Sequence, residues 1–449
     1  VLFSTLSPRE QLAAIMARIY RQGMTTLTGG NLSILEENGD LWITPSGVDK
    51  GTLRPQDMMC VRAARAPGAD GMVEGPHRLS SELPFHRAIY DRRPDLRAVV
   101  HAHSPALVTF SMIRKAPDTR ILPLTYQVCG PVGYVPYAIM GSDRLAVSVA
   151  EAFADGSNTV LLENHSAAAG GATLLQAFQR LETLDFSART LIHARGLCAA
   201  RGLGKEAGHL AIRTLSDEQL ALFDRRWNNL PEFAPAQPGS HEHALRQQTV
   251  EIVHRAYDRC LMTSLGGVVS ARVSEESFLI TPTGMDRRGI EIEDLVLVSG
   301  GRREAGKWPS RSVCLHQAIY DRHPEIGCVI AAPAPHITAY ALVPEPFDTV
   351  TIPESYVMLR HVEKVPFDAC YREPEQVAAR LSRRTPVLIL ENEGVLTTGT
   401  TILETFDRLE VAEYSAQSLI DIATKLGRWV PLGEKDLRDL EEMFGLESS

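Results

Sequence analysis

His101-Ala102-His103 sets two imidazoles two residues apart, and alternate side chains of a β-strand share a face, so both rings project together at a strand end. Their nitrogens can converge on one cation. A third histidine, His165, and a carboxylate, Glu82, would complete a set of three nitrogens and one oxygen suited to Zn2+ or another divalent transition metal. The H-x-H pair alone also fits two hydrogen-bonded histidines at a strand terminus. An ion held mostly by neutral imidazoles keeps its positive charge, so it can polarise a ketone or stabilise an enediolate near neutral pH. Glu82 then reads as an acid/base group that shuttles a proton, or as a permanent ligand.

Small polar loops accompany this set. Thr28, Gly30, Asn31, Ser46, Gly47, Ser80 and Ser81 offer backbone N–H and hydroxyl donors to an anion, with Ser80-Ser81 at an expected helix N-terminus. A phosphate needs no Lys or Arg there, and a carboxylate would use the same donors. Gly29-Gly30 and Pro45-Ser46-Gly47 also have a plain reading as turns.

The elements that position these residues are legible in the pattern. Ser7-Pro8-Arg9-Glu10 is a capping-box signature, and Leu12, Ile15, Met16 and Ile19 form one helical face before Gly23. A helix follows Ser80-Ser81-Glu82 and ends before Pro94; residues 98–103 read as a strand, with a helix beginning at Ser104-Pro105. Residues 159–162 read as a buried strand leading to Asn164-His165, followed by a helix over 174–192. Such alternation implies helices layered over a sheet.

The pattern then recurs. His86-Arg87-Ala88-Ile89-Tyr90-Asp91-Arg92-Arg93-Pro94 is echoed by His316-Gln317-Ala318-Ile319-Tyr320-Asp321-Arg322-His323-Pro324. Ile43-Thr44-Pro45-Ser46-Gly47 matches Ile280-Thr281-Pro282-Thr283-Gly284, and Phe178-Gln179-Arg180-Leu181-Glu182 matches Phe406-Asp407-Arg408-Leu409-Glu410. Two homologous domains are expected, 1–230 and 244–449, joined by a proline-rich linker at 231–243 within the extended stretch 228–243. His86 and His316 stand at equivalent positions and read as helix-surface or packing histidines; Cys129 reads as loop structure.

Thr28-Gly29-Gly30-Asn31-Leu32-Ser33, Thr44-Pro45-Ser46-Gly47, Ser80-Ser81-Glu82, His101-Ala102-His103 and Asn164-His165 together resemble the successive motifs of the class II aldolase/adducin family. The likeness runs through most of residues 8–195, with a degenerate copy from about 245 to 422. It implies an α/β fold of two tandem three-layer α/β/α domains, each a central mixed sheet flanked by helices, and zinc at His101, His103 and His165. It also implies a metal-dependent lyase that cleaves a C–C bond of a phosphorylated ketose or sugar acid. Epimerase, dehydratase and decarboxylase members, and the non-catalytic adducin head, remain alternatives. An adducin-like module would be expected to have lost the ligands from both copies. A cupin-type oxygenase would place its Glu shortly after the H-x-H pair, whereas Glu82 precedes it.

The resemblance assigns Tyr126 a catalytic role, reaching a neighbouring subunit's site and protonating an oxygen there. The aldolases also use a Tyr near the end of the domain, yet no Tyr lies between Tyr137 and Tyr257. In the second copy Ser312, Ala331, Pro333 and Glu393 face Glu82, His101, His103 and His165, while Val268 replaces Asn31 and Arg311 replaces Ser81. That copy is expected neither to bind metal nor to catalyse. Its Tyr356, equivalent to Tyr126, and Arg360, replacing Gly130, are candidates to complete the first copy's site, in a homodimer that forms a four-lobed ring.

Composition sets the outer limits. The 449 residues exceed one ordinary core, 44% are hydrophobic and 22% charged, and no apolar run approaches a membrane span. A net charge of −9 argues against nucleic-acid or anionic-membrane partners. Seven dispersed cysteines without a C-x-x-C suit reduced thiols, and with no signal peptide read at the start a cytoplasmic protein is expected.

Overall fold

The computed structural model describes residues 3–63, 71–204 and 211–446. In the first repeat the capping box forms as the sequence dictates: Ser7 caps α1 (Pro8–Arg21), whose Leu12, Ile15, Met16 and Ile19 are buried. The strands that follow are β1 (Asn31–Leu35), β2 (Leu41–Ile43), β3 (Met59–Val61) and β4 (Val73–Glu74). Then come α2 (Leu83–Arg92), β5 (Ala98–Ala102), α3 (Pro105–Met112), α4 (Pro123–Cys129) and β6 (Gly133–Val135). The repeat closes with α5 (Asp143–Ala154), β7 (Thr159–Leu162), β8 (Ser166–Gly171) and α6 (Leu174–Arg201), a helix nine residues longer than its apolar pattern suggested.

The eight strands form one sheet in the order β4-β3-β2-β1-β5-β8-β7-β6. Neighbours are antiparallel except β6 and β7, which are parallel, so the sheet is mixed. Phe85, Ile89, Leu145, Val149 and Phe153 of α2 and α5 pack on Ile43, Val99, Val160 and Leu162 of the sheet. The alternate strand residues Leu32, Val100 and Leu161 are also buried, and α1 and α3 lie against β1, β2, β7 and β8. Burial of both strand faces is the signature of a sheet sandwiched between helices.

After α7 (Asp217–Phe223), β9 (Glu232–Phe233) and α8 (Ser240–Asp258), the second repeat builds the same frame from β10 (Val268–Arg272), β11 (Ser277–Ile280), β12 (Val296–Ser299), β13 (Arg302–Glu304), α9 (Val313–Arg322) and β14 (Cys328–Ala332). These continue into α10 (Pro335–Ala341), α11 (Pro353–Leu359), β15 (Val362–Val365), the short α12 (Ala369–Arg372) and α13 (Pro374–Ala378), β16 (Val387–Leu390), β17 (Gly394–Gly399) and α14 (Ile402–Asp421). Its sheet order, β15-β16-β17-β14-β10-β11-β12-β13-β9, is that of the first sheet with one added strand. That strand, β9 (Glu232–Phe233), pairs in parallel with the otherwise open edge β13. The stretch expected as extended linker thus contributes an edge strand, because Glu232 and Phe233 lie between its prolines with both backbone N–H groups intact; helix α8 (Ser240–Asp258) then begins before the expected linker end. By packing, the chain divides into residues 1–119 with 124–189, and 120–123 with 190–449, so the division falls inside α6. Among the described residues no helix is long and apolar enough to cross a membrane.

One polar feature ties helix to sheet identically in both repeats. Ser33 Oγ on β1 contacts His86 Nδ1 and the Tyr90 hydroxyl on α2, each at 2.6 Å; Ser270 contacts His316 and Tyr320, each at 2.7 Å. Both histidines are fully buried, so of the two expected positions, surface or packing, they take the packing one. Burial lowers each ring to about 3. The unfolded chain takes up these protons below the ordinary value of 6.5, whereas the folded chain does so only near 3. Stability is therefore complete above 6.5 and is lost as pH falls through the interval. The urea midpoint should drop steadily from about pH 7.5 to about pH 5, and an unchanged midpoint across that range would contradict neutral burial.

Candidate metal and acid/base site

Three turns deliver the candidate residues to one place. His101 is the penultimate residue of β5 and His103 follows its end; Ser104, bonded to Asp185, then caps α3 and turns the chain away. His165 closes the connection between β7 and β8, where Asn164 adopts φ 51° and Leu162 pairs with Ser166. A residue in the left-handed region lets a short connection reverse direction. Glu82 is the N-cap of α2, its side chain unused in capping.

The three histidines offer ligand nitrogens that all lie within 4.8 Å of one another. His101 Nε2 is 3.0 Å from His103 Nε2, and the ring centroids are 4.8 to 5.0 Å apart. His101 Nδ1 donates to the Ala167 carbonyl at 2.9 Å, which leaves its lone pair on Nε2, pointing into the cluster. Glu82 lies 3.4 Å from His101 and 3.6 Å from His165. Burial pushes His101 and His165 down to about 3 and lowers His103, so the rings are neutral donors. His165 Nε2 and Glu82 Oε1 are buried with no hydrogen-bond partner. An orphaned imidazole nitrogen beside an orphaned carboxylate oxygen is costly in a protein interior; a divalent cation held by the three rings would satisfy the nitrogen and set a positive charge beside the carboxylate. The donors present fit such an ion. Among the described residues no corresponding cluster occurs in the second repeat.

The cross-strand register shows why. In the first sheet Asn31 pairs with His101; in the second Val268 pairs with Ala331 at the same place. Ser312 caps α9 as Glu82 caps α2, and Glu393 follows Asn392, at φ 57°, as His165 follows Asn164. Burial raises Glu393 to about 7, and the Tyr371 hydroxyl donates to it. Arg311 lies over the Phe223 ring at 4.2 Å.

The anion candidates are dispersed in character. Thr28, Ser46, Gly47 and Ser81 are exposed, whereas Gly30, Asn31 and Ser80 are buried. Ser46 N–H donates to the Arg78 carbonyl, and Ser80 Oγ accepts from Glu82 N–H. The Asn31 amide is engaged by Glu82 at 2.6 Å rather than held open. Sequence reasoning missed Lys50, which is buried beneath the 44–47 loop, donates to the Pro45 carbonyl at 2.5 Å, and is lowered to about 8 by burial. Its signal was the cation preserved at the same repeat position, Arg287, which donates to the carbonyls of Gly267, Pro282 and Met285. Tyr126 is half-buried on α4, where Gly130 N–H bonds its carbonyl. Tyr356 and Arg360 repeat that turn on α11, both buried, with the Tyr356 hydroxyl donating to Glu441 at 2.6 Å. Cys129, expected in a loop, ends α4 and is buried with its thiol on the Arg180 carbonyl.

The sequence pattern of the Class II Aldolase and Adducin N-terminal domain matches residues 10–192 and again 247–420. The chain belongs to this family. It is 32% identical over 189 residues to a 3-oxo-tetronate 4-phosphate decarboxylase of Escherichia coli, covering 41% of this chain and 86% of that one. It is 31% identical to a 5-deoxy-D-ribulose 1-phosphate aldolase of Bacillus thuringiensis, covering 42% and 86%. Among solved structures, an L-fuculose-1-phosphate aldolase from Thermus thermophilus is 28% identical, covers 41% of this chain and 92% of its own, and superposes with a TM-score of 0.36. Class II aldolases depend on a divalent metal, and these relatives are enzymes.

Gly30 couples the anion loop to the ligand strand: its φ is +72°, and a Cβ there would lie 2.7 Å from the His101 carbonyl oxygen. Gly47 has a similar φ of +68° but open space around it. Gly47→Ala should cost about 1 kcal/mol for conformation alone, and Gly30→Ala about 2–3 kcal/mol or more, read by urea unfolding. Equal costs would contradict the packing of Gly30 against His101.

Proposed function

We propose that the first repeat, within residues 1–230, is the catalytic half of a metal-dependent lyase that cleaves a carbon–carbon bond in a phosphorylated ketose or sugar acid. The observation that carries this reading is the convergence of His101, His103 and His165 beside Glu82, with His165 Nε2 and Glu82 Oε1 buried and without a hydrogen-bond partner. The donor set, three imidazoles with a carboxylate alongside, favours zinc. When bound, the ion would polarise the substrate carbonyl and lower the energy of the enediolate that bond cleavage leaves.

The rest of the chemistry falls to the chain's own side chains. Glu82 Oε1 is free to take the proton of the substrate hydroxyl whose carbon becomes the aldehyde, while Oε2 is held by Asn31. The C–C bonding pair passes to the carbon next to the carbonyl, and the proton returns there from Glu82 or from Tyr126. Burial around Glu82 keeps competing water away from that carbon. Thr28, Gly30, Ser46, Gly47, Ser80 and Ser81 are the proposed cradle for the substrate's phosphate or carboxylate, with Lys50 adding positive potential from below. Tyr356 and Arg360 of the second repeat are proposed contributors to substrate handling.

A decarboxylase reading is favoured by the similarity to the 3-oxo-tetronate 4-phosphate decarboxylase. Loss of CO2 from a 3-oxo acid leaves the bonding pair on the carbon next to the carbonyl, the same enolate that aldol cleavage gives, with Glu82 then acting as the acid. A panel of ketose phosphates and sugar-acid phosphates, followed for released aldehyde and for CO2, separates the two. With the substrate so identified, Glu82→Gln should lower turnover by about two orders of magnitude or more while substrate binding persists. Turnover near wild type would remove proton transfer from Glu82 and defeat this reading.

A further inference from the structure

Behind the candidate site a single file of hydrogen bonds runs from α2 through β1 to Glu82. The Tyr90 hydroxyl and Ser33 Oγ are 2.6 Å apart, Ser33 Oγ and His86 Nδ1 2.6 Å, His86 Nε2 and Asn31 Oδ1 2.5 Å, and Asn31 Nδ2 and Glu82 Oε2 2.6 Å. All five side chains are buried. The file has one permitted direction. An amide nitrogen only donates, so Asn31 Nδ2 faces the Glu82 carboxylate; the reversed amide would set two acceptors against each other. Asn31 Oδ1 can then only accept, which puts the His86 proton on Nε2. A neutral ring has its lone pair on Nδ1, so Ser33 donates to it and Tyr90 donates to Ser33. Every proton in the file points toward Glu82.

The second repeat is an internal control. Ser270, His316 and Tyr320 keep the inner part of the file, but Val268 and Ser312 stand where Asn31 and Glu82 do, and His316 Nε2 is buried without a partner. The outer link exists where the carboxylate exists. A purely structural histidine would not need it.

We propose that His86, held in its Nε2–H tautomer by Ser33 and Tyr90, is a positioning residue for the reaction: it fixes the Asn31 amide so that Asn31 grips Glu82 Oε2 and leaves Oε1 turned toward His165. This rests on the reading of Glu82 as the proton-transfer group. It assigns to Asn31 a task in orienting the acid/base group, where the sequence had suggested an anion contact.

Two measurements test it. Long-range 1H–15N correlation on the full chain labelled at histidine, with the His86 signal assigned as the one lost in His86→Gln, should show an Nε2–H ring; an Nδ1–H ring reverses the file and overturns the proposal. Ser33→Ala and Ser270→Ala remove the same hydroxyl from the same place in the two repeats, so both should lower the urea midpoint by similar amounts. Ser33→Ala alone should lower kcat, about ten- to hundredfold, with KM and bound metal near wild type. Equal kcat in the two variants would reduce His86 to a packing residue. If instead Glu82→Gln leaves turnover intact, the reading of Glu82 fails while the tautomer result stands, so the two failures are distinct.

Discussion

Three imidazoles and a carboxylate are crowded at the ends of buried strands, and the cost of holding those four groups out of water is the constraint on which the rest of the first repeat turns. Neutral rings reduce the cost, and burial keeps them neutral. The Ala167 carbonyl fixes one ring, Asn31 fixes one carboxylate oxygen, and two atoms remain unsatisfied. In the first repeat the helix-to-sheet contacts of Ser33, His86 and Tyr90, by contrast, leave none of their own side-chain atoms unsatisfied.

The two repeats show which parts of the fold depend on that constraint. Sheet order, the left-handed Asn164 and Asn392, the Pro-started helices α3 and α10, and the serine–histidine–tyrosine contact persist in both. At the positions that form the cluster in the first copy, the second copy carries Val268, Ser312, Ala331, Pro333 and Glu393. Arg360 even keeps the turn of Gly130, at φ 55° against 63°, with Thr349 bonding its carbonyl as Thr119 bonds that of Gly130.

Much of this was legible in the sequence because it depends on local rules. Strand alternation aims His101 and His103 together, Ser7 and Ser104 announce their helices, and the recurrence of His86 through Pro94 at His316 through Pro324 reveals the duplication. The network behind Glu82 was not legible, since Asn31 and Glu82 are 51 residues apart and meet only through the β1–β5 register and the cap of α2. Repetition itself misled at His86: a residue kept in a copy without ligands looks structural, and its inner contacts are, yet its other ring nitrogen reaches Asn31 in the first repeat alone. Lys50 was overlooked because a buried ammonium bonded to a carbonyl leaves no sequence mark beyond a basic residue at the same place in both copies.

Elemental analysis of the purified full chain is the most direct test of the central claim, that the cluster at His101, His103 and His165 is a metal centre and its counterpart in the second repeat is not. The account predicts one equivalent of divalent metal per chain, lost when His101 and His103 are both replaced by alanine. Two equivalents, or one that survives the double replacement, would contradict it.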